Sequence, residues 1–145
     1  MITLKNIWKN YQIDSEVEFQ ALKNINLSIK EKEFISIIGP SGSGKSTLMY
    51  IIGLLEKPTK GQIFIKNKEI SKLTDDQLSK LRNRFVGFVF QQFNLINKLT
   101  VLENILLPTI YCRKKLEFDA EKKAKELIKK FNLEGKENSY PNKLS

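Results

Sequence analysis

Residues 39–47 read Gly-Pro-Ser-Gly-Ser-Gly-Lys-Ser-Thr, a complete G-x-x-x-x-G-K-S/T pattern, and few short motifs limit a fold as tightly. The pattern has physical meaning only where a strand delivers the chain to the loop and a helix starts directly after it. Both flanks comply. Phe34-Ile35-Ser36-Ile37-Ile38 is a short apolar, β-prone run that predicts the strand, and Leu48-Met49-Tyr50-Ile51-Ile52 predicts the helix. Gly39, Gly42 and Gly44 let backbone N–H groups converge on phosphate oxygens without Cβ clashes. Ser41, Ser43 and Thr47 complete the residues expected around the ligand. The helix start adds unpaired N–H groups and the positive end of its dipole. Lys45 is expected to neutralise the β- and γ-phosphates, and the Ser46 hydroxyl to ligate Mg²⁺. A flexible Gly/Ser loop would not explain a lysine and a hydroxyl on the correct side of the last glycine. The expected ligand is a nucleoside triphosphate.

Strand signals dominate the first third. Ile2, Leu4, Asn6 and Trp8 alternate onto one face, a polar stretch from Gln12 to Glu18 interrupts, and Leu22, Ile25, Leu27 and Ile29 resume the pattern. Pro58-Thr59-Lys60-Gly61 marks a turn, Gln62-Ile63-Phe64-Ile65-Lys66 a strand, and Asn67-Lys68 the next turn. Thr74-Asp75-Asp76-Gln77 and Thr100-Val101-Leu102-Glu103 both have the capping-box pattern that opens a helix. Pro108 is expected to kink or end the second of these. Phe85-Val86-Gly87-Phe88-Val89-Phe90 is nearly all apolar, as a strand buried on both faces would be. Ala120, Ala124, Leu127, Ile128 and Phe131 recur at helical spacing, and that helix should stop near Asn132-Leu133-Glu134-Gly135. Strands, a phosphate loop and a mostly helical second half predict an α/β fold with a helical annex. The composition shift near Gln92 divides it into residues 1–92, the nucleotide-binding core, and 93–145, the helical subdomain.

The 145 residues, 41% hydrophobic, suffice for a compact domain with its own core. No apolar run approaches membrane-spanning length, and the start resembles no signal peptide. The single cysteine, Cys112, fits a reducing compartment, so the cytosol is the expected location. A net charge of +9 leaves nucleic acid or an anionic membrane surface open as partners. The densest basic stretch, Arg113 to Lys130, is interleaved with acids and reads as the solvated face of an amphipathic helix.

Beyond the loop, Val89-Phe90-Gln91-Gln92-Phe93-Asn94-Leu95-Ile96, followed by Leu99-Thr100-Val101 and Glu103-Asn104, resembles the Q-loop segment of ABC transporter ATP-binding subunits. The resemblance runs end to end and is strongest to the lipoprotein-release and macrolide or antimicrobial-peptide export branch. It implies a P-loop NTPase fold of ABC type: a β-rich N-terminal subdomain, a partial parallel core with an incomplete sheet, and a helical subdomain. It also implies ATP and Mg²⁺ as ligands and hydrolysis coupled to export. Gln91 would complete the Mg²⁺ shell or orient the attacking water, so Lys45 and Gln91 are the expected catalytic residues. Tyr11 would stack on adenine, with Trp8 as a competing candidate whose phase in the strand suggests core. Implied partners are a membrane permease and a second ATP-binding subunit, identical or not, at the inner face of the cell membrane.

The resemblance further makes Leu144-Ser145 the opening of a signature motif. The Walker B aspartate, the catalytic glutamate and the switch histidine of the family are not among these residues, and the chain has no histidine. The expectation is therefore an N-terminal portion of a cassette that binds ATP without hydrolysing it alone. Two alternatives stand beside it: a non-catalytic nucleotide-binding or interaction module, and a soluble ABC ATPase acting on nucleic acid or ribosomes. The absence of long heptads and of an aromatic–basic platform disfavours nucleic acid.

Overall fold

The computed structural model describes residues 1–12, 18–112 and 116–144. Most of the polar stretch between Gln12 and Glu18, the start of the charged stretch at Arg113, and Ser145 of the Leu-Ser pair lie outside them. The chain divides into two compact units, Met1–Gly87 and Phe88–Ser145.

The first unit carries β1 (Ile2–Gln12), β2 (Glu18–Ile29), α1 (Lys45–Ile52), β3 (Lys60–Ile65), β4 (Lys68–Glu69) and α2 (Asp75–Phe85). Its four strands form one sheet in the order β2-β1-β3-β4, with every neighbouring pair antiparallel. Simple alternation along β1 does not hold. Asn6 takes φ 51°, its N–H donates to Asn26 Oδ1 at 2.9 Å, and the register with β2 shifts between Leu4 and Ile7. Asparagine tolerates this left-handed geometry better than other non-glycine residues. The bulge turns the strand, so Leu4 and Ile7, which alternation would send to opposite faces, are both buried. Asn6 is consequently exposed and Trp8 half-buried. Gly61, at φ 105°, lies so close to the bulge that a Cβ there would run into the Asn6 carbonyl.

One core lies between the sheet and its helices. Leu4, Ile7, Leu22 and Ile63 from the strands meet Ile51 of α1 and Leu78 of α2. Fully burying a side chain such as Ile51 contributes about 1.5–3 kcal/mol. Leu54, just past α1, adopts φ 59° and is also buried. Arg82 of α2 donates to the Leu54 carbonyl at 2.8 Å and so closes the C-terminal end of α1. The α2 capping box forms as the sequence predicts: Gln77 N–H donates to Thr74 Oγ1 at 3.3 Å and Thr74 N–H to Gln77 Oε1 at 3.0 Å.

Two predicted strands do not form. Residues 34–38 and 86–90 have no ladder partner among the described residues, and Phe85 ends α2 instead of opening a strand. Apolar, β-branched sequence supplies surface for a strand to bury, but a neighbour must supply the hydrogen bonds. Without one, Phe34 is 94% exposed, Ile38 87% and Val89 99%.

The second unit holds α3 (Val101–Ile110), α4 (Ala120–Lys130) and a 3₁₀ turn at Pro141–Lys143. Thr100 and Glu103 form the second capping box, with Thr100 N–H donating to Glu103 Oε2 at 2.7 Å. The next two amides of α3 find backbone acceptors, Val101 N–H on Ser139 O at 2.9 Å and Leu102 N–H on Glu137 O at 3.0 Å. Pro108 sits inside α3, which runs on to Ile110. Asp119 caps α4, whose Ala124 and Ile128 are buried; beyond it the chain turns at Asn132, φ 57°.

Candidate functional site

The phosphate loop leads directly into α1. Gly39, Gly42 and Gly44 all take positive φ, and Gly44 is the residue that caps the helix. A Cβ on Gly44 would lie 2.6 Å from the Ala21 carbonyl oxygen and 2.9 Å from Leu22 Cδ2. This glycine therefore seats the loop against β2. Lys45 folds back over the loop, its ammonium donating to the carbonyls of Gly39 at 3.0 Å and Pro40 at 2.7 Å. A cation is thus held where the loop closes, beside the start of a helix. Ser41, Gly42, Ser43 and Ser46 are exposed, whereas Thr47 turns inward.

Tyr11, at the end of β1, joins this helix. Its hydroxyl donates to Glu56 Oε2 at 2.6 Å and lies 3.4 Å from Thr47 Oγ1. Burial pushes the Tyr11 hydroxyl pKa up, and the hydrogen bond to Glu56 adds to the rise. Lys9 Nζ stands 4.9 Å from the ring centroid and pairs with Glu56 Oε1 at 2.9 Å. Lys9 also donates to the Lys57 carbonyl at 2.9 Å. Tyr11 is the residue the sequence singled out as the expected adenine contact; Glu56, its partner here, was not singled out, because it lies 45 positions away and no local pattern links the two.

The structure brings Tyr11 and the loop residues together in the first unit. Gln91 belongs to the second, where it is exposed at a bend. In the first unit the candidate Mg²⁺ donor is a hard oxygen, the Ser46 hydroxyl. No cluster of three or more His, Cys, Asp or Glu exists among the described residues to cage a metal. A hydroxyl oxygen suits Mg²⁺, which is commonly held by one or two protein oxygens together with substrate phosphates. Trp8 lies in the paired part of β1, opposite Lys60, and its carbonyl accepts from Thr59 N–H at 2.8 Å.

A lysine-closed phosphate loop set against an antiparallel sheet, with a helical unit after it, defines an α/β nucleotide-binding cassette. The family model described as ABC transporter matches residues 22–145, and the chain belongs to that family. An uncharacterized ABC transporter ATP-binding protein of Methanocaldococcus jannaschii, MJ0796, is 51% identical over 148 residues, which cover 100% of this chain and 63% of the relative. A solved dimeric structure of that cassette, in a post-hydrolysis state bound to ADP and Pi, matches with a TM-score of 0.87 over 100% of this chain and 63% of that one. The macrolide export ATP-binding/permease protein MacB of Mannheimia succiniciproducens is 46% identical, the match covering 100% of this chain and 22% of MacB. The chain thus spans less than two thirds of the length of these relatives. Among the described residues, no helix is long and apolar enough to cross a membrane.

Proposed function

We propose that the chain is the ATP-binding part of an ABC exporter, corresponding to the N-terminal portion of the cassette, in which residues 1–92 bind nucleotide and residues 93–145 form the helical subdomain. The observation that carries this reading is the Lys45 ammonium seated on the Gly39 and Pro40 carbonyls at the head of α1. Arriving phosphates exchange those carbonyls for β- and γ-oxygens. The loop amides and the helix N-terminus then complete the cradle. Tyr11 offers its ring to the adenine as a large contact with little rotamer entropy to lose. Ser46 would hold Mg²⁺, which when bound would offset phosphate charge, and Gln91 we assign as the catalytic glutamine of the complete cassette. Hydrolysis and export belong to the complete cassette, paired with a second ATP-binding subunit and a permease at the inner membrane face. MacB, named as an ATP-binding/permease protein for macrolide export, supports that assignment.

Lys45→Ala tests it. Losing charge-assisted bonds worth about 1.5–3 kcal/mol each should weaken ATP binding at least about 10-fold by calorimetry. Unchanged affinity would remove the loop from the site. Phosphate release by the wild type, lost in Lys45→Ala, assigns turnover to this chain; binding without release makes it a nucleotide-holding portion only.

A further inference from the structure

Two side chains beside the loop have no part in the scheme above. Glu56 lies just past α1, before the turn at Pro58, and both of its oxygens are engaged: Oε2 accepts from the Tyr11 hydroxyl at 2.6 Å and Oε1 pairs with Lys9 at 2.9 Å. Lys9 in turn lies 4.9 Å from the Tyr11 ring centroid and donates to the Lys57 carbonyl at 2.9 Å. The three side chains close a ring of contacts around one aromatic. The strand end is tied to the same segment a second time, by Asn10 N–H on Thr59 Oγ1 at 3.0 Å and Thr59 N–H on the Trp8 carbonyl at 2.8 Å.

We infer that Glu56, held by Lys9, is a positioning residue that fixes the Tyr11 ring as the nucleobase platform. The inference rests on the reading of Tyr11 as that platform. Glu56 anchors the hydroxyl edge of the ring, and Thr47 Oγ1, 3.4 Å from the same hydroxyl, links that edge to the first turns of α1. The platform therefore stands at a set distance from the loop that takes the phosphates. Lys9 covers one face of the ring, so a base can stack only on the other. Its ammonium is partly neutralised by Glu56, which keeps a cation beside the ring without an unpaired charge in a half-buried place. A free tyrosine would sample several rotamers and lose them on binding; a tethered one has lost them already.

The test compares Mg-ATP with Mg-tripolyphosphate, which has the phosphates and no base, by calorimetry on the full chain. Glu56→Ala should weaken ATP about 3- to 10-fold, the cost of ordering one free side chain on binding, and leave tripolyphosphate unchanged. Tyr11→Phe keeps the ring and removes only the tether, so it should lose ATP affinity by a similar factor. Combining the two should cost no more than either alone. Glu56→Gln, which keeps an acceptor for the hydroxyl, should recover part of the affinity. Wild-type ATP affinity in Glu56→Ala overturns the inference. So does a parallel loss for ATP and tripolyphosphate, which would make Glu56 a support of the fold. If Tyr11→Ala binds ATP as tightly as wild type, the platform reading itself fails. Tyr11→Phe remains informative if Glu56→Ala does not fold, because it leaves the Lys9–Glu56 pair in place.

Discussion

The two ends of the phosphate loop are held very differently. At the helix end, Gly44 touches the backbone of β2, α1 buries Ile51 in the core, and Arg82 closes the carbonyl end of the helix. On the other side, residues 34–38 approach the loop with no ladder partner among the described residues, and Phe34 is 94% exposed. The comparison separates two sources of order that a motif match merges. Loop shape is local, set by glycine geometry and a helix start. Loop rigidity is not local, because each flank must be packed by something distant in sequence.

Core truncation should give the largest effect. Ile51 is 0% exposed, and Ile51→Ala removes buried methyl groups in a core shared by β1, β2, β3 and α2. We expect a loss of about 2–5 kcal/mol in urea unfolding followed by circular dichroism. A loss below 1 kcal/mol, roughly what a half-exposed site gives, would mean that the helix end is no better held than the other. Gly44→Ala comes next. At φ 85°, with the Ala21 carbonyl where a Cβ would go, the loop must shift. A cost of about 1–3 kcal/mol is expected, with weaker ATP binding at the same time. Binding lost with stability untouched would place the glycine's role in the phosphate contact alone.

The difference between the ends also explains what could be read in advance. Features closed within one turn were legible: the Thr74 and Thr100 capping boxes, and, one residue late, the turn expected at Asn67-Lys68, which falls at Lys66 and Asn67, both at positive φ. Each depends on residues a few positions apart. Strand pairing depends on a partner elsewhere in the chain and was not read in advance, even for β3 and the two-residue β4 beside it. Residues 34–38 and 86–90 carry strand-like composition without a described neighbour, so composition alone misled. The β1 bulge was hidden because one asparagine, Asn6, resets the side-chain phase. In the candidate site, the loop stood out as a motif and Tyr11 was proposed from the family resemblance. Glu56 was not, since only the fold brings position 56 beside position 11.

Phe34→Ser examines the loosely held side. Polar substitution of an exposed phenylalanine should change unfolding free energy by no more than about 0.5 kcal/mol. It should also reduce binding of a hydrophobic dye, because Phe34 and Ile38 are among the most exposed large apolar side chains of the first unit. A loss rivalling that of Ile51→Ala would show that residues 34–38 are packed in solution and would erase the contrast.

The smallest effect belongs to a surface clasp on the well-held side. Lys57, whose carbonyl accepts from Lys9, also reaches Asp75 Oδ1 with its ammonium at 2.8 Å, at the first residue of α2. The hydrogen bond and the charge of Lys57 hold the Asp75 carboxyl below its ordinary range. A carboxylate depressed in the folded state contributes stability above its unfolded pKa, about 3.9, and loses that contribution as pH falls through its lower folded value. The pair is exposed, so salt and water screen it strongly. Asp75→Asn should therefore lower the melting temperature by only about a degree at pH 7. The gap from wild type should narrow below pH ~4, as the wild-type carboxyl takes up its proton. Thermal melts from pH 7 to pH ~3 would show this, and a gap that held constant would mean the contribution of Asp75 does not come from its charge.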